Sequence, residues 1–156
     1  MTESHGGGLL AALAGQRPAA PNWFGEALAV QPETRSHSVA GTRLETLAWG
    51  EPGKPGLLLM HGNGATAHWW SFIAPFLADQ HRVVAFSWSG MGNSAWRETG
   101  SYTLDGFIDE ALGIAQLEGL FDGPVKPVFV GHSFGGFPSM ACAARHGERL
   151  RAAVIV

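Results

Sequence analysis

Four short apolar segments recur along the chain and alternate with segments that have the period of a helix. The apolar segments are residues 57–60, 83–86, 128–130 and 152–156. Uninterrupted apolar runs of this length are typical of strands in a parallel sheet that is covered on both faces. The pattern therefore predicts four parallel strands, and it predicts that the last strand is buried like the others.

Apolar residues between these strands mark three helices. The stripes occupy residues 69–77, 104–115 and 137–144. Thr103 or Ser101 is a candidate cap for the second helix, and Pro138 fits only the first turn of the third. Strands that alternate with helices form βαβ units, whose right-handed crossovers place helices on both sides of the sheet. The predicted fold class is α/β, with a doubly wound and mostly parallel sheet.

The N-terminal quarter of the chain has a different pattern. Residues 1–36 are rich in Gly, Ala and Pro and are interpreted as an arm or leader, whereas residues 37–156 form the predicted core domain. Within residues 38–49 the pattern predicts two short strands that turn at Gly41. The final segment, 152–156, is a strand that no loop or helix follows in the sequence. We interpret the domain as the N-terminal part of a larger fold that stops after strand six.

Composition narrows the class of protein. The chain has 156 residues, of which 46% are hydrophobic and 15% charged, and this balance is typical of a globular domain. The net charge is −3 and no basic cluster is present, which argues against nucleic acid or a membrane surface as partner. The single cysteine, Cys142, excludes an intrachain disulfide. No basic region precedes the short apolar run at 9–14, so a cytoplasmic protein is expected.

The segment GHSFG at 131–135 matches the motif G-x-S-x-G between a predicted strand and a predicted helix. Such a turn holds the serine in a strained backbone conformation, and glycines on either side avoid collisions between Cβ atoms. The helix that follows directs backbone N–H groups toward the serine. The alternative is a glycine-rich loop that contains a serine by chance. The position of the motif favours Ser133 as a catalytic nucleophile.

A second glycine segment, HGNG at 61–64, follows the first of the four strands. An oxyanion hole needs backbone donors from two loops, and the N–H groups of Asn63 and Phe134 are the candidates. Residues 62–67 also fit G-x-G-x-x-A, the fingerprint of dinucleotide sites. That site requires an acidic residue at the end of the next strand, where this chain has Phe86, Ser87 and Trp88. Dinucleotide binding is therefore disfavoured.

Three motifs in order, HGNG at 61–64, SGMGNS at 89–94 and GHSFGG at 131–136, resemble those of α/β-hydrolase-fold enzymes of the esterase type. The resemblance covers about residues 38–156. It implies a serine hydrolase with Ser133 as nucleophile and the N–H groups of Asn63 and Phe134 as oxyanion hole. It implies no cofactor. A serine instead of an aspartate at the nucleophile position argues against the haloalkane dehalogenase and epoxide hydrolase branches.

The chain departs from this family in two respects. Ser87 stands where a structural aspartate is usual. The acid and the histidine of the triad lie beyond strand six in the family, so we expect both beyond residue 156 or on a second chain. His61 is interpreted as a packing or hydrogen-bonding residue, and no metal-ligand spacing is present.

The expected substrate is a small molecule with an ester, thioester or related acyl group. Candidate residues of its pocket are His132, Trp69 and Trp88, which belong to or follow the motif loops. The alternatives are a non-catalytic binding protein with the same fold, or acyl transfer, perhydrolysis, oxygenation or carbon–carbon hydrolysis on this scaffold.

Overall fold

The computed structural model describes residues 11–156, and residues 1–10 of the predicted arm lie outside the described part. A six-stranded sheet forms its centre, with the strand order β1-β2-β4-β3-β5-β6. The strands are β1 (Glu33–Val39), β2 (Thr42–Trp49), β3 (Gly56–Met60), β4 (Arg82–Phe86), β5 (Val128–Gly131) and β6 (Ala152–Ile155). Strands β3 to β6 are mutually parallel, whereas β1 and β2 form an antiparallel hairpin at one edge. The predicted α/β class with a mostly parallel sheet is confirmed.

Helices cover both faces of the sheet and create two cores. They are α1 (Asn22–Ala29), α2 (Ala74–Leu77), α3 (Leu104–Leu117) and α4 (Gly136–His146). Residues of α3 and α4 pack on one face with alternate residues of the central strands. Residues of α2 and of a short 3₁₀ helix, Ala67–Trp70, pack on the other face. No helix within residues 11–156 has the length and apolar character to cross a bilayer.

The hairpin turns at Ala40 and Gly41, as the sequence predicted. Both residues have positive φ angles, 47° and 78°, which is the backbone geometry of a two-residue turn that matches strand twist. Strand β1 begins at Glu33, inside the segment interpreted as an arm, and most of its residues are exposed. Its register places polar residues of β1 opposite the more apolar β2, so the edge of the sheet is polar.

The prediction of one helix over residues 69–77 is wrong, because two shorter helices occupy this region. The 3₁₀ helix Ala67–Trp70 ends before α2 begins at Ala74, with Pro75 in its first turn. Proline is compatible with the start of a helix and incompatible with its interior, since it lacks the N–H that bonds to the preceding turn. Pro75 therefore separates the two.

The second and third helices are confirmed. The side chain of Thr103 caps α3 by accepting a hydrogen bond from the N–H of Gly106, and Pro138 lies in the first turn of α4. Within residues 11–156 the last strand is not buried as the pattern predicts. Val154 and Ile155 are 45% and 47% exposed, because β6 is the outermost strand and has only β5 beside it.

Candidate active site

Ser133 lies at a sharp turn between β5 and α4 and is exposed to solvent. Its φ angle is 51°, in the left-handed region that residues with a Cβ rarely adopt. A backbone in this region costs about 1–3 kcal/mol, so the surrounding structure must hold it in place. We refer to residues 131–136 as the serine turn.

Glycines on both sides of Ser133 make the serine turn sterically possible. A Cβ on Gly131 would collide with the carbonyl oxygen of Gly135 and the hydroxyl of Ser139. A Cβ on Gly135 would lie 2.5 Å from the carbonyl oxygen of Met60 at the end of β3. The spacing of glycines in the motif therefore has a direct steric cause, as the sequence indicated.

Backbone hydrogen bonds fix the serine turn against both neighbouring strands. The N–H of His132 donates to the carbonyl oxygen of Met60 at 2.9 Å, and the N–H of Ser133 donates to that of Val156 at 2.9 Å. Among residues 11–156, no backbone carbonyl accepts a hydrogen bond from the N–H of Phe134. This N–H belongs to the residue that follows the serine directly, and Phe134 lines a cavity described below.

The glycine loop, residues 61–66, lies beside the serine turn. A Cβ on Gly62 would lie 3.0 Å from His132 Nδ1 and 3.2 Å from Ser133 Cβ, so a side chain here would require these neighbours to move by a few tenths of an ångström. Asn63 is exposed, and its N–H donates to no other backbone group within the described chain. The two loops thus contribute two N–H groups, of Asn63 and Phe134, that donate to no described backbone group.

His61 anchors the first end of the glycine loop. Its ring is fully buried, with Nδ1 at 2.7 Å from the carbonyl oxygen of Gly62. The N–H of Trp88 donates to His61 Nε2 at 3.2 Å, so the ring is neutral and carries its proton on Nδ1. Burial lowers the pKa of His61, although the bond to Gly62 raises it in part. His61 is consequently a structural residue, consistent with its interpretation from the sequence.

Two cavities open at the glycine loop, and Asn63 contributes to both. The smaller cavity has a volume of about 200 Å³ and is lined by Gly62, Asn63, Ala65, Trp69, His132 and Ser133. The larger cavity has a volume of about 380 Å³ and is lined by Asn63, Ser89, Gly90, Met91, Trp96, Tyr102, Phe107 and Phe134. A ligand atom bound near Asn63 therefore has space on two sides.

The three candidate pocket residues have different environments. The rings of Trp69 and His132 stack at a centroid distance of 5.5 Å and line the smaller cavity. Trp88 lines neither cavity, because its indole is fully buried and packs edge-on against Phe107 and Phe134. Its expected place in the pocket is corrected to a supporting one, beneath the aromatic side chains of the larger cavity.

Sequence reasoning missed part of the larger cavity. Met91, Tyr102 and Phe107 come from the loop after β4 and from α3, and the motif SGMGNS marks only the first of these elements. The guanidinium of Arg97 lies 5.6 Å from the ring centroid of Phe107 and forms an ion pair with the buried Glu110. The charges near this cavity are therefore paired with each other.

No histidine hydrogen-bonds the hydroxyl of Ser133 within residues 11–156. His61 is occupied by Gly62 and Trp88. His132 is stacked on Trp69, and its Nδ1 is buried without a hydrogen-bond partner. The described part of the chain also contains no group of three or more His, Cys, Asp or Glu side chains that could hold a metal ion.

A family model described as alpha/beta hydrolase fold matches residues 55–156. The chain is 33% identical over 103 residues to a 2-hydroxymuconate semialdehyde hydrolase of Pseudomonas sp. strain CF600. This match covers 64% of this chain and 35% of that protein. It is 32% identical over 124 residues to epoxide hydrolase A of Mycobacterium tuberculosis, covering 78% of this chain and 37% of the relative. It thus spans about a third of the length of these curated relatives.

Among solved structures, the chain is similar to a thioesterase domain from the curacin biosynthetic pathway. The TM-score is 0.72 at 26% sequence identity, and the similarity covers 81% of this chain and 46% of that domain. The similarity is consistent with the observed α/β fold.

Proposed function

This chain belongs to the α/β-hydrolase-fold family, and we propose that it carries the nucleophile and oxyanion hole of a serine hydrolase that acts on an ester, thioester or related acyl group. One observation supports this most directly. The strained, exposed Ser133 stands beside two backbone N–H groups, of Asn63 and Phe134, that no described backbone group occupies. Two such donors stabilise the negative charge that develops on a carbonyl oxygen when a hydroxyl attacks the carbon.

The proposed reaction begins when Ser133 Oγ attacks the acyl carbon. A general base removes the proton of the hydroxyl, and the N–H groups of Asn63 and Phe134 bind the oxyanion of the tetrahedral intermediate. Collapse of the intermediate breaks the bond to the alcohol or thiol, which receives the proton from the protonated base, and leaves an acyl-serine that water then hydrolyses to release the acid. Loss of one oxyanion donor in such enzymes costs about 3–4 kcal/mol of transition-state stabilisation.

The general base and its acid are proposed to come from residues other than those described. His61 is fully engaged in bonds to Gly62 and Trp88, and His132 has no hydrogen bond to Ser133. The relatives are about three times as long as the matching region, which supports a source in additional sequence or in another chain.

The larger cavity is the proposed site of the acyl group. Its lining is mainly apolar and aromatic, and the neighbouring charges of Arg97 and Glu110 are paired at 2.5 Å. An uncharged apolar group fits these surroundings, because a charged one would lose its hydration without gaining a partner. Some relatives are named epoxide hydrolases, but a serine at position 133 argues against that chemistry here.

Labelling with a fluorophosphonate tests the role of Ser133. Imidazole is added as an external base, because the base is proposed to be missing from this chain. We expect labelling that increases with imidazole, disappears in Ser133→Ala and persists in the matched variant Ser101→Ala, which alters an exposed serine outside the turn. Equal labelling of Ser133→Ala and the original chain would refute the proposal.

Hydrolysis of p-nitrophenyl butyrate tests the missing base. The 156-residue chain alone is expected to hydrolyse this ester slowly, and imidazole is expected to accelerate the reaction. Rapid hydrolysis that depends on Ser133 but not on imidazole would show that the 156-residue chain already contains a base. Binding of apolar esters without labelling of Ser133 would instead favour a non-catalytic binding protein.

A further inference from the structure

A buried carboxylate lies at the centre of a polar network behind the glycine loop. Glu45 of β2 is 4% exposed, and its carboxylate accepts hydrogen bonds from Ser87 Oγ at 2.9 Å and from Asn93 Nδ2 at 2.6 Å. The N–H of Asn93 also donates to it at 3.3 Å. The imidazole of His68, 3.8 Å away, is the charged or titratable group that contacts it within the described chain.

Ser87 connects this carboxylate to the glycine loop. Its hydroxyl donates to Glu45 and accepts a hydrogen bond from the N–H of Ala67 at 3.0 Å. Ala67 is the residue at which the glycine loop passes into the 3₁₀ helix. The next residue after Ser87, Trp88, binds His61 at the other end of the loop. Two consecutive residues at the end of β4 therefore hold both ends of the loop that carries Asn63.

The network leaves little freedom for Ser87. The hydroxyl of Ser94 donates to the carbonyl oxygen of Ser87 at 2.6 Å and accepts from the N–H of Glu45 at 2.9 Å. A Cβ on Gly92 would lie 2.7 Å from Ser87 Oγ, so this glycine admits the closely packed arrangement. The orientation of the hydroxyl then depends on the partner of its single proton.

An ionised carboxylate accepts hydrogen bonds and cannot donate them, so it receives the proton of the Ser87 hydroxyl. The lone pairs of Ser87 Oγ then remain available to the N–H of Ala67. Burial raises the pKa of Glu45, but the hydrogen bonds from Asn93 and Ser87 lower it by more, so that the carboxyl is ionised near neutral pH. A neutral amide at position 45 would not impose this direction, because its NH₂ group donates.

We propose that Glu45 is a positioning residue for the oxyanion site, which acts through Ser87 and Ala67 on the glycine loop and so on the N–H of Asn63. This role rests on the proposed function, in which Asn63 is an oxyanion donor. The carboxylate contacts neither Ser133 nor either cavity. Its effect is therefore on the geometry of the loop.

Amide hydrogen exchange and ¹⁵N chemical shifts of the full 156-residue chain test this inference. In Glu45→Gln we expect exchange of the Ala67 amide to become about fivefold faster, since a hydrogen bond of about 1 kcal/mol is weakened, and the Asn63 amide shift to change. The matched control is Glu118→Gln, which alters a second buried carboxylate. The partners of Glu118 are Arg35, His37, Thr46 and Arg82, none of them in the glycine loop.

Glu118→Gln is expected to destabilise the whole domain without a specific change at Ala67 or Asn63. Should Glu45→Gln fail to fold, Ser87→Ala removes only the hydroxyl and tests the same link. An Ala67 amide that stays protected in Glu45→Gln or in Ser87→Ala, or that changes equally in Glu118→Gln, would overturn the inference.

Exchange requires no turnover, so its result is independent of whether Ser133 reacts. If Glu45→Gln does not change the exchange of the Ala67 amide, the positioning role of Glu45 is refuted and the proposed function is not affected. Failure of Ser133 to be labelled would refute the proposed function and leave the link between Glu45 and the glycine loop intact. For chains that are labelled, the rate of labelling in Glu45→Gln should fall and the rate in Glu118→Gln should stay close to that of the original chain.

Discussion

One added methyl group at Gly135 should disrupt the serine turn. Its Cβ would lie 2.5 Å from the carbonyl oxygen of Met60, which is 0.9 Å short of the 3.4 Å at which ordinary contacts begin. The same oxygen accepts the hydrogen bond from the N–H of His132, so relief of the contact must stretch that bond. Overpacking of this kind costs about 1–3 kcal/mol, and weakening of the bond adds about 1 kcal/mol.

We therefore expect Gly135→Ala to lower the free energy of unfolding by about 2–4 kcal/mol, which at this chain length corresponds to a Tm lower by roughly 5–15 °C. Urea denaturation measures the change as a lower midpoint with an unchanged slope. Fluorophosphonate labelling of Ser133 should fall as well, because the displacement lies within the serine turn.

Gly25→Ala is the matched control for this change. Gly25 lies in α1 with no atom within 4 Å of its Cβ position, so alanine there should stabilise the helix by about 0.5–1 kcal/mol. If Gly135→Ala proves as stable as the original chain, or as Gly25→Ala, then the close packing of the serine turn against β3 does not constrain position 135 and the steric reasoning fails.

Three further predictions concern ionisable groups. Because the folded pKa of Glu45 lies below its ordinary 4.5, the stabilisation it provides is complete above about pH 4.5 and is lost as pH falls through the lowered pKa; denaturation of Glu45→Gln across pH 3–7 should show less of this acid loss. Burial depresses the pKa of His61, so the stability that its neutral ring provides is complete above pH 6.5 and is lost as pH falls through the lowered pKa. In His61→Gln the free energy of unfolding should no longer fall with pH in this range, and an unchanged pH dependence would assign the effect to other groups. Burial raises the pKa of Cys142 to about 11; iodoacetamide at pH 8 should leave the native thiol unmodified and react once urea unfolds the chain, and rapid native alkylation would contradict its burial.

The central strands were predictable because their side chains are buried on both faces. Burial on both faces produces uninterrupted apolar runs, and residues 57–60 and 83–86 coincide closely with β3 and β4. Strand β1 lacks this signal, since it is an edge strand with exposed polar residues and its long-range partners include the buried Glu118. A strand held by ion pairs with a residue about 80 positions away has no local signature.

The serine turn was predictable for a related reason. Its glycines are required by contacts within a few residues and with the adjoining strand, so the motif itself records the geometry. The network around Glu45 leaves no such record, because the carboxylate comes from β2 and its partners come from the end of β4 and the following loop. The motif does not predict the direction of neighbouring side chains, since Trp88 lies just before a motif loop and is buried in the core.

The attachment of the glycine loop at both ends has a consequence for protein engineering. Ser87 and Trp88 bind the loop only at Ala67 and His61, so residues 63–66 between these attachments are free of bonds to β4. Gly64 has a φ angle of 72°, which favours glycine at this position even though the space at its Cβ is open, whereas Asn63 is exposed and lines the smaller cavity with Ala65. Positions 63 and 65 are therefore candidates for substitution libraries that keep Gly64 and the length of the loop, so that the shape of the site varies while the backbone N–H at position 63 and the sheet are retained.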